Sequence, residues 1–127
     1  MPEDSQCHFC GVPIERIVDE TENCLVIHDL YPVTLLHTLI ITKRHIASYF
    51  DLSEQERDEI RQLIDKHGQS IKQDDETVSG FNIGINCGED AGQTVMHCHV
   101  HLIPRRKGDV GDPRGGVRGV IPDKQSY

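Results

Sequence analysis

The chain has 127 residues, 21 acidic against 13 basic, and a formal net charge of −8. That length suits one domain with a modest core, and the acidic balance argues against a nucleic-acid or anionic-membrane surface, where a basic footprint is expected. No apolar run is long enough for a membrane span and no signal-peptide pattern is visible; the five cysteines, an odd number, disfavour a disulfide framework, so a cytoplasmic location is expected.

Residues 1–6 are polar and expected to be loose. Cys7-His8-Phe9-Cys10-Gly11 follows. A C-x-x-C turn offers two thiolates to zinc or forms a redox pair. The redox reading wants a βαβ pattern nearby, and none follows. Zinc needs two further ligands from elsewhere. Ile14 to Val18 and Cys24 to His28 read as short strands around the acidic turn 19–23. Asp29 opens the turn His28-Asp29-Leu30-Tyr31-Pro32, where an aspartate most often caps its own turn. Leu35 to Thr42 is the richest apolar run and reads as a buried strand. His37 lies inside it, a position more often held by a satisfied core histidine than by a catalyst. His45, just beyond, is a third candidate zinc ligand.

Ser53-Glu54-Gln55-Glu56 has the form of a capping box. Ile60, Leu63, Ile64 and Ile71 recur behind it at helical spacing, with His67 on the same stripe. The spacing predicts a helix from about Glu54 to Gln73, with His67 read as part of its surface. Gly80 to Asn86 alternates as a strand does. The glycine-containing loop Gly88 to Thr94 can turn backbone N–H groups toward an anion.

That loop leads into Met96-His97-Cys98-His99-Val100-His101-Leu102-Ile103-Pro104. On a β-strand, successive side chains point to opposite faces. His97, His99 and His101 would share one face, and Cys98, Val100 and Leu102 the other. Pro104, with no N–H for a ladder, is expected to stop the strand. Three histidines at this spacing span roughly 13 Å, too far apart for one metal at ~2.0–2.1 Å. The outer two are expected to differ in task from the middle one. The segment from Arg105 to Arg118 gathers five basic residues of this acidic chain. Its Gly115-Gly116 pair suits either a close backbone approach to a ligand or a flexible solvated tail.

His99 is the best nucleophile candidate. A neutral imidazole can attack phosphorus and divide one displacement into two. It needs an acceptor on its other ring nitrogen, and donors for the phosphoryl and leaving oxygens. His101, on the same face, could supply one. His97 could join Cys7, Cys10 and His45 in a closed, structural Cys₂His₂ zinc site.

The segment Gly92-Gln93-Thr94-Val95-Met96-His97-Cys98-His99-Val100-His101-Leu102-Ile103 resembles the signature of the histidine triad family of nucleotidyl hydrolases and transferases. Residues 28–32 and 37–45 are similar to the family's N-terminal motifs, and Phe81-Asn82-Ile83-Gly84 with Asn86 to its strand before the triad. The resemblance implies an α+β fold over residues 1–127: an antiparallel sheet of about five strands with one long and one short helix, extended across a homodimer. It implies that His99 carries a nucleotidyl intermediate, with His101 and His37 in support. Asn86, Gln93 and Thr94 match residues that hold phosphate, and Asp29 one that binds the ribose hydroxyls. Ile27 stands where an aromatic often lies near the base. The ligands of zinc-bearing members match Cys7, Cys10, His45 and His97. Leu36 departs from the small residues frequent before the upstream histidine, and Thr42 from a common proline.

Pro104-Arg105 and the basic tail look more like the fragile-histidine-triad-like subclass, which cleaves dinucleoside polyphosphates such as diadenosine tetraphosphate. Arg105, Arg106, Arg114 and Arg118 could neutralise such a leaving group, and Mg²⁺ could accompany it. The rival readings are a phosphoramidase acting on AMP–X compounds, a nucleotide-binding sensor with little turnover, and a zinc hydrolase in which the metal activates water.

Overall fold

A computed structural model describes residues 6–127. The expected looseness of residues 1–6 therefore falls, apart from Gln6, outside the described residues. Five strands form one antiparallel sheet: β1 (Ile17–Glu20), β2 (Cys24–His28), β3 (Thr38–Thr42), β4 (Val78–Gly84) and β5 (His99–Arg106), in the order β1-β2-β3-β5-β4. One helix, α1 (Glu54–Asp74), crosses one face. It is the only α-helix among the described residues; the expected short helix is replaced by short 3₁₀ turns such as Tyr49–Asp51.

Helix α1 begins where its cap says it should. The Glu56 N–H donates to Ser53 Oγ at 3.1 Å, and the Ser53 N–H donates to the Glu56 carboxylate at 2.8 Å. Two otherwise orphaned donors are satisfied together. Arg44 also grips that carboxylate, at 2.7 and 3.1 Å, which ties the segment carrying His45 to the helix start.

The cross-strand register sorts the sheet into two faces. Val26, Ile40 and Val100 stand opposite one another, flanked by Cys24 and Leu102. This face packs under Ile60, Leu63 and Ile71 of α1. Leu25 and Ile41 stand beside His99, and Ile27 and Leu39 beside His101, on the other face. Phe9 and Val12 of the N-terminal segment lie on these aliphatic side chains.

Two strand limits differ from expectation. β3 starts at Thr38, not Leu35, because Leu36 sits at φ +72°. That left-handed conformation breaks an extended run and costs a non-glycine residue about 1–2 kcal/mol. The His37 N–H closes the turn on the Thr34 carbonyl at 3.1 Å. β5 runs on through Pro104 to Arg106. Its partner β3 has already ended opposite Leu102, and the Pro104 carbonyl accepts from Thr34 Oγ1 at 2.6 Å. The N and O of a strand residue point to the same side, so the missing N–H faces a side with no ladder to break. His97, in turn, lies in the bend before β5, held where the Cys98 N–H donates to the Ile46 carbonyl.

His67 is buried, not part of the helix surface. Its Nε2–H donates to the Asp19 carboxylate of β1 at 2.8 Å, beside Lys66 Nζ at 2.7 Å. Among the described residues, no helix is long and apolar enough to cross a membrane.

Candidate active site

Hydrogen bonds to single-role backbone groups decide the proton on each ring. His99 Nδ1 lies 2.7 Å from the His97 carbonyl, which only accepts. The proton is therefore on Nδ1, and Nε2 keeps its lone pair. The Val33 N–H donates to His37 Nδ1 at 3.0 Å. His37 thus carries its proton on Nε2 and donates to His101 Nδ1 at 2.9 Å. His101 is left with its proton on Nε2. The His99 and His101 rings lie 5.2 Å apart. No fully buried side-chain nitrogen or oxygen among the described residues lacks a partner. His99 Nε2 and His101 Nε2 have none there, so both reach the surface of the site.

Burial keeps the supporting rings uncharged. It lowers His37, with the Asp29 carboxylate partly opposing it. His101 is pushed down to about 4, by burial first and then by the neighbouring His99 and His37. The structure thus sets a bare imidazole nitrogen next to a backed N–H donor, the pairing that covalent group transfer requires.

Around this pair, Asp29 caps its own turn and also faces His37. Its Oδ1 accepts from the Tyr31 N–H at 2.8 Å as a turn cap, and its Oδ2 lies 3.5 Å from His37 Nε2. Ile27 is wholly buried beneath Phe9 and Val12, so it is not an open contact for a base. Phe9 stands there instead, its ring 5.1 Å from that of His99. Phe9 was not singled out from the sequence; the signal for its packing here was the one large apolar side chain inside the C-x-x-C turn. Thr94 is exposed and Asn86 half-buried, in the loops on either side of Gly88. Gln93 is buried, and its amide is committed to backbone. It accepts from the Gly88 N–H at 2.8 Å and donates to the Ala47 and Val95 carbonyls at 2.9 and 3.1 Å. Its side chain holds the loop's shape and has no donor left for phosphate. Arg105 lies on the histidine face further along β5. Arg106 points the other way, to Asp75 and the Leu35 carbonyl.

His97 faces a second cluster. Its Nε2–H donates to the Thr42 carbonyl at 2.7 Å. The bare Nδ1 then lies 3.4 Å from Cys7 Sγ and 3.6 Å from Cys10 Sγ. His45 Nδ1 is 3.1 Å from Cys10 Sγ. The four ligand atoms lie within 4.8 Å of one another. A tetrahedron with Zn–S of ~2.3 Å and Zn–N of ~2.0–2.1 Å has edges of about 3.3–3.8 Å. Two thiolates and two imidazoles with these spacings fit zinc. Asp29, His37 and His101 also converge, but their two nitrogens are poor ligands for Mg²⁺, which takes oxygen.

A five-stranded antiparallel sheet backed by one helix, with a relay of histidines on its other face, defines a small α+β domain. The HIT domain family model matches residues 13–108, and the chain belongs to the histidine triad family, whose members are in general nucleotide hydrolases or transferases. The nitrilase and fragile histidine triad fusion protein NitFhit of Caenorhabditis elegans is 36% identical over 102 residues, 80% of this chain and 23% of that protein. Protein hit of Bacillus subtilis is 36% identical over 108 residues, covering 81% and 74%. The asymmetrical bis(5'-nucleosyl)-tetraphosphatase of Schizosaccharomyces pombe is 34% identical over 108 residues, covering 84% and 59%. The chain thus spans about a quarter of the worm protein and three fifths of the yeast one. Among solved structures, a HIT family protein from Bacillus anthracis superposes with a TM-score of 0.76 at 36% identity, covering 85% and 80%. A zinc-bound histidine triad family protein from Mycobacterium smegmatis gives 0.73 at 36%, covering 82% and 78%.

Proposed function

We propose that this protein hydrolyses dinucleoside polyphosphates, of the diadenosine tetraphosphate kind, at the α-phosphate, through a nucleotidyl–His99 intermediate. The observation that carries the reading is the proton placement: His99 presents a lone pair at Nε2 while His101, backed by His37, presents an N–H. His99 Nε2 attacks the α-phosphorus and an N–P bond forms. The bond from phosphorus to the bridging oxygen breaks, and its electron pair leaves on that oxygen. His101 Nε2–H donates a hydrogen bond to the departing oxygen. The positive charge that develops on His99 is held by the His97 carbonyl at Nδ1. Water then attacks phosphorus, the N–P electron pair returns to Nε2, and one water proton goes to solvent. The product is a nucleoside monophosphate.

The same rings favour a polyphosphate as leaving group. A polyphosphate departs as an anion and needs only a hydrogen-bond donor. An amine must be protonated to leave, and His101, held neutral down to about pH 4, is a poor acid for that. The yeast relative named as a tetraphosphatase supports the same choice. Asn86 and Thr94 serve the phosphate, with the Gly88–Gln93 turn as their scaffold. Asp29 accepts from the ribose hydroxyls, and Phe9 forms the apolar wall beside the base.

Cys7, Cys10, His45 and His97 hold a structural zinc in this reading. When bound, zinc supplies a cross-link between the N-terminal segment and the sheet. His97 then fixes its own carbonyl, and with it the His99 tautomer. β4 is an edge strand with Ile83 exposed, next to an apolar trough of about 380 Å³ that includes Ile60, Ile64 and Ile85. An uncovered edge of this kind favours pairing, and supports the homodimer; light scattering on the eluted protein tests it.

The test of substrate class is a comparison of specificity constants for diadenosine tetraphosphate and an AMP–lysine amide. A strong preference for the tetraphosphate is expected, and a strong preference for the amide contradicts the assignment. Chelation separates a structural metal from a catalytic one. A structural zinc lowers the melting temperature on removal, whereas a catalytic one stops turnover in protein that is still folded.

A further inference from the structure

Beyond the triad, the same face of the sheet runs on to a second cavity of about 740 Å³. The way there is smooth. On β4 the residues that share the face with His101, Ile103 and Arg105 are Gly84, Asn82 and Gly80, in register opposite them. Neither glycine has space filled above it: nothing lies within 4 Å of a Cβ built on Gly84, and only the Arg105 Cβ reaches 4.0 Å from one on Gly80. From His101 to Arg105 the strand covers about 13 Å. One phosphate does not bridge that distance; a polyphosphate that carries a second nucleoside is long enough to.

The cavity is lined by Arg105, Arg106 and Lys107 against one acid, Asp109, in a basic segment of an acidic protein. Residues 105–127 hold six basic and three acidic side chains, a net of +3, which leaves −11 of the total −8 for residues 1–104. Arg105 forms its floor. Its Nη1 donates to Asn82 Oδ1 at 2.7 Å, and its Nε and Nη2 donate to the two oxygens of Asp109 at 2.8 Å each. Lys107 is exposed at the rim and enters no ion pair among the described residues. The tail closes the far wall. Gly116, at φ +47°, brings its backbone against Asn82, and Gly115, at φ +89°, lies so close to the Gln125 carbonyl that a Cβ would be 1.7 Å from its oxygen. Arg114 and Arg118 both sit over the Tyr127 ring, at 4.8 and 4.9 Å, and hold the tail folded.

We infer that this cavity is the subsite for the distal phosphates and second nucleoside of the polyphosphate, with Asp109 occupying the Arg105 fork as an internal anion until substrate displaces it. The inference rests on the proposed polyphosphate reading. A carboxylate across the full guanidinium fork marks the bidentate geometry that a phosphate takes. The volume lies in the range of cavities that hold small ligands. Asp109 sits on the turn at Gly108 (φ +80°), outside the sheet; its Oδ2 also accepts from the Arg106 N–H at the end of β5 at 3.0 Å, a bond that is given up when the carboxylate leaves the fork. Subsite and triad lie on one face, so one extended ligand can reach both.

The test uses inorganic tripolyphosphate as probe, titrated calorimetrically into the full chain, alongside the ratio of specificity constants for diadenosine tetraphosphate and AMP–lysine amide. Arg105→Gln should weaken tripolyphosphate binding about tenfold and lower the ratio by a similar factor. Lys107→Gln, at an exposed position that puts no fold at risk, should weaken it several-fold. Asp109→Asn should strengthen it. Tripolyphosphate binding that ignores all three changes overturns the subsite, even if the tetraphosphate is cleaved. Binding that depends on Arg105 and Lys107 in a protein that cleaves neither substrate keeps the subsite and overturns the catalytic reading.

Discussion

The two faces of one sheet are held by different physics. On the helix face, Val26, Ile40 and Val100 pack under α1. The energy there comes from many weak contacts, and volume matters more than identity. On the histidine face, particular hydrogen bonds fix each imidazole: His99 to the His97 carbonyl, His37 to the Val33 N–H, and His101 to His37. There a single atom decides which nitrogen keeps its lone pair. Substitutions on the first face should therefore move stability, and those on the second should move turnover.

The largest expected effect is on the histidine face. His99→Ala should cut hydrolysis by about a thousandfold or more, with nucleotide binding and melting temperature close to wild type; unchanged hydrolysis would falsify the nucleophile role. Ile40→Ala, directly across the sheet, should cost about 3 kcal/mol of stability by denaturant unfolding, while kcat measured below the transition stays near wild type. If kcat fell in step with stability, the division between faces would fail. His37→Phe keeps the bulk and removes the relay. It should lower kcat by about thirtyfold, with KM little changed. A smaller loss, about 1 kcal/mol, is expected for Ser53→Ala, which removes half of the capping box.

The smallest effect is in pH. His37 and His101 have values below the ordinary one for histidine, and His101 titrates at about 4. Between pH 4 and about 6.5 the unfolded chain binds protons that the folded chain refuses, so stability should fall as pH drops through that window. Asp19 acts at a lower pH. Burial raises it, but hydrogen bonds from Lys66 and His67 win and bring it to about 2. Its contribution is complete above its unfolded value and is lost as pH falls toward 2. Melting curves from pH 7 to 2, with and without His67→Gln, separate the two.

How much of this was legible follows from how local each signal is. Helix α1 and its cap were readable to within a residue, because capping and the apolar stripe act over three or four positions. The apolar side of the histidine strand was readable for the same reason. The strand's length was not. Pro104 is tolerated only because β3 has ended alongside it, and that depends on the Leu36 turn, nearly 70 residues earlier. The buried role of His67 needed Asp19, 48 positions away. The family resemblance assigns Gln93 to phosphate, but its amide is saturated by backbone partners that no spacing announces. The convergence of Cys7, Cys10, His45 and His97 was anticipated from ligand types alone, while the ring nitrogen that faces the thiolates needed the Thr42 carbonyl in place.

The most direct measurement is mass spectrometry of the enzyme caught during turnover of diadenosine tetraphosphate by an alkaline denaturing quench, in which a phosphorus–nitrogen bond survives. An AMP adduct is expected on the peptide bearing His99, formed and lost at rates consistent with kcat and missing from His99→Ala. Steady turnover with no adduct, or an adduct on another residue, would contradict that expectation.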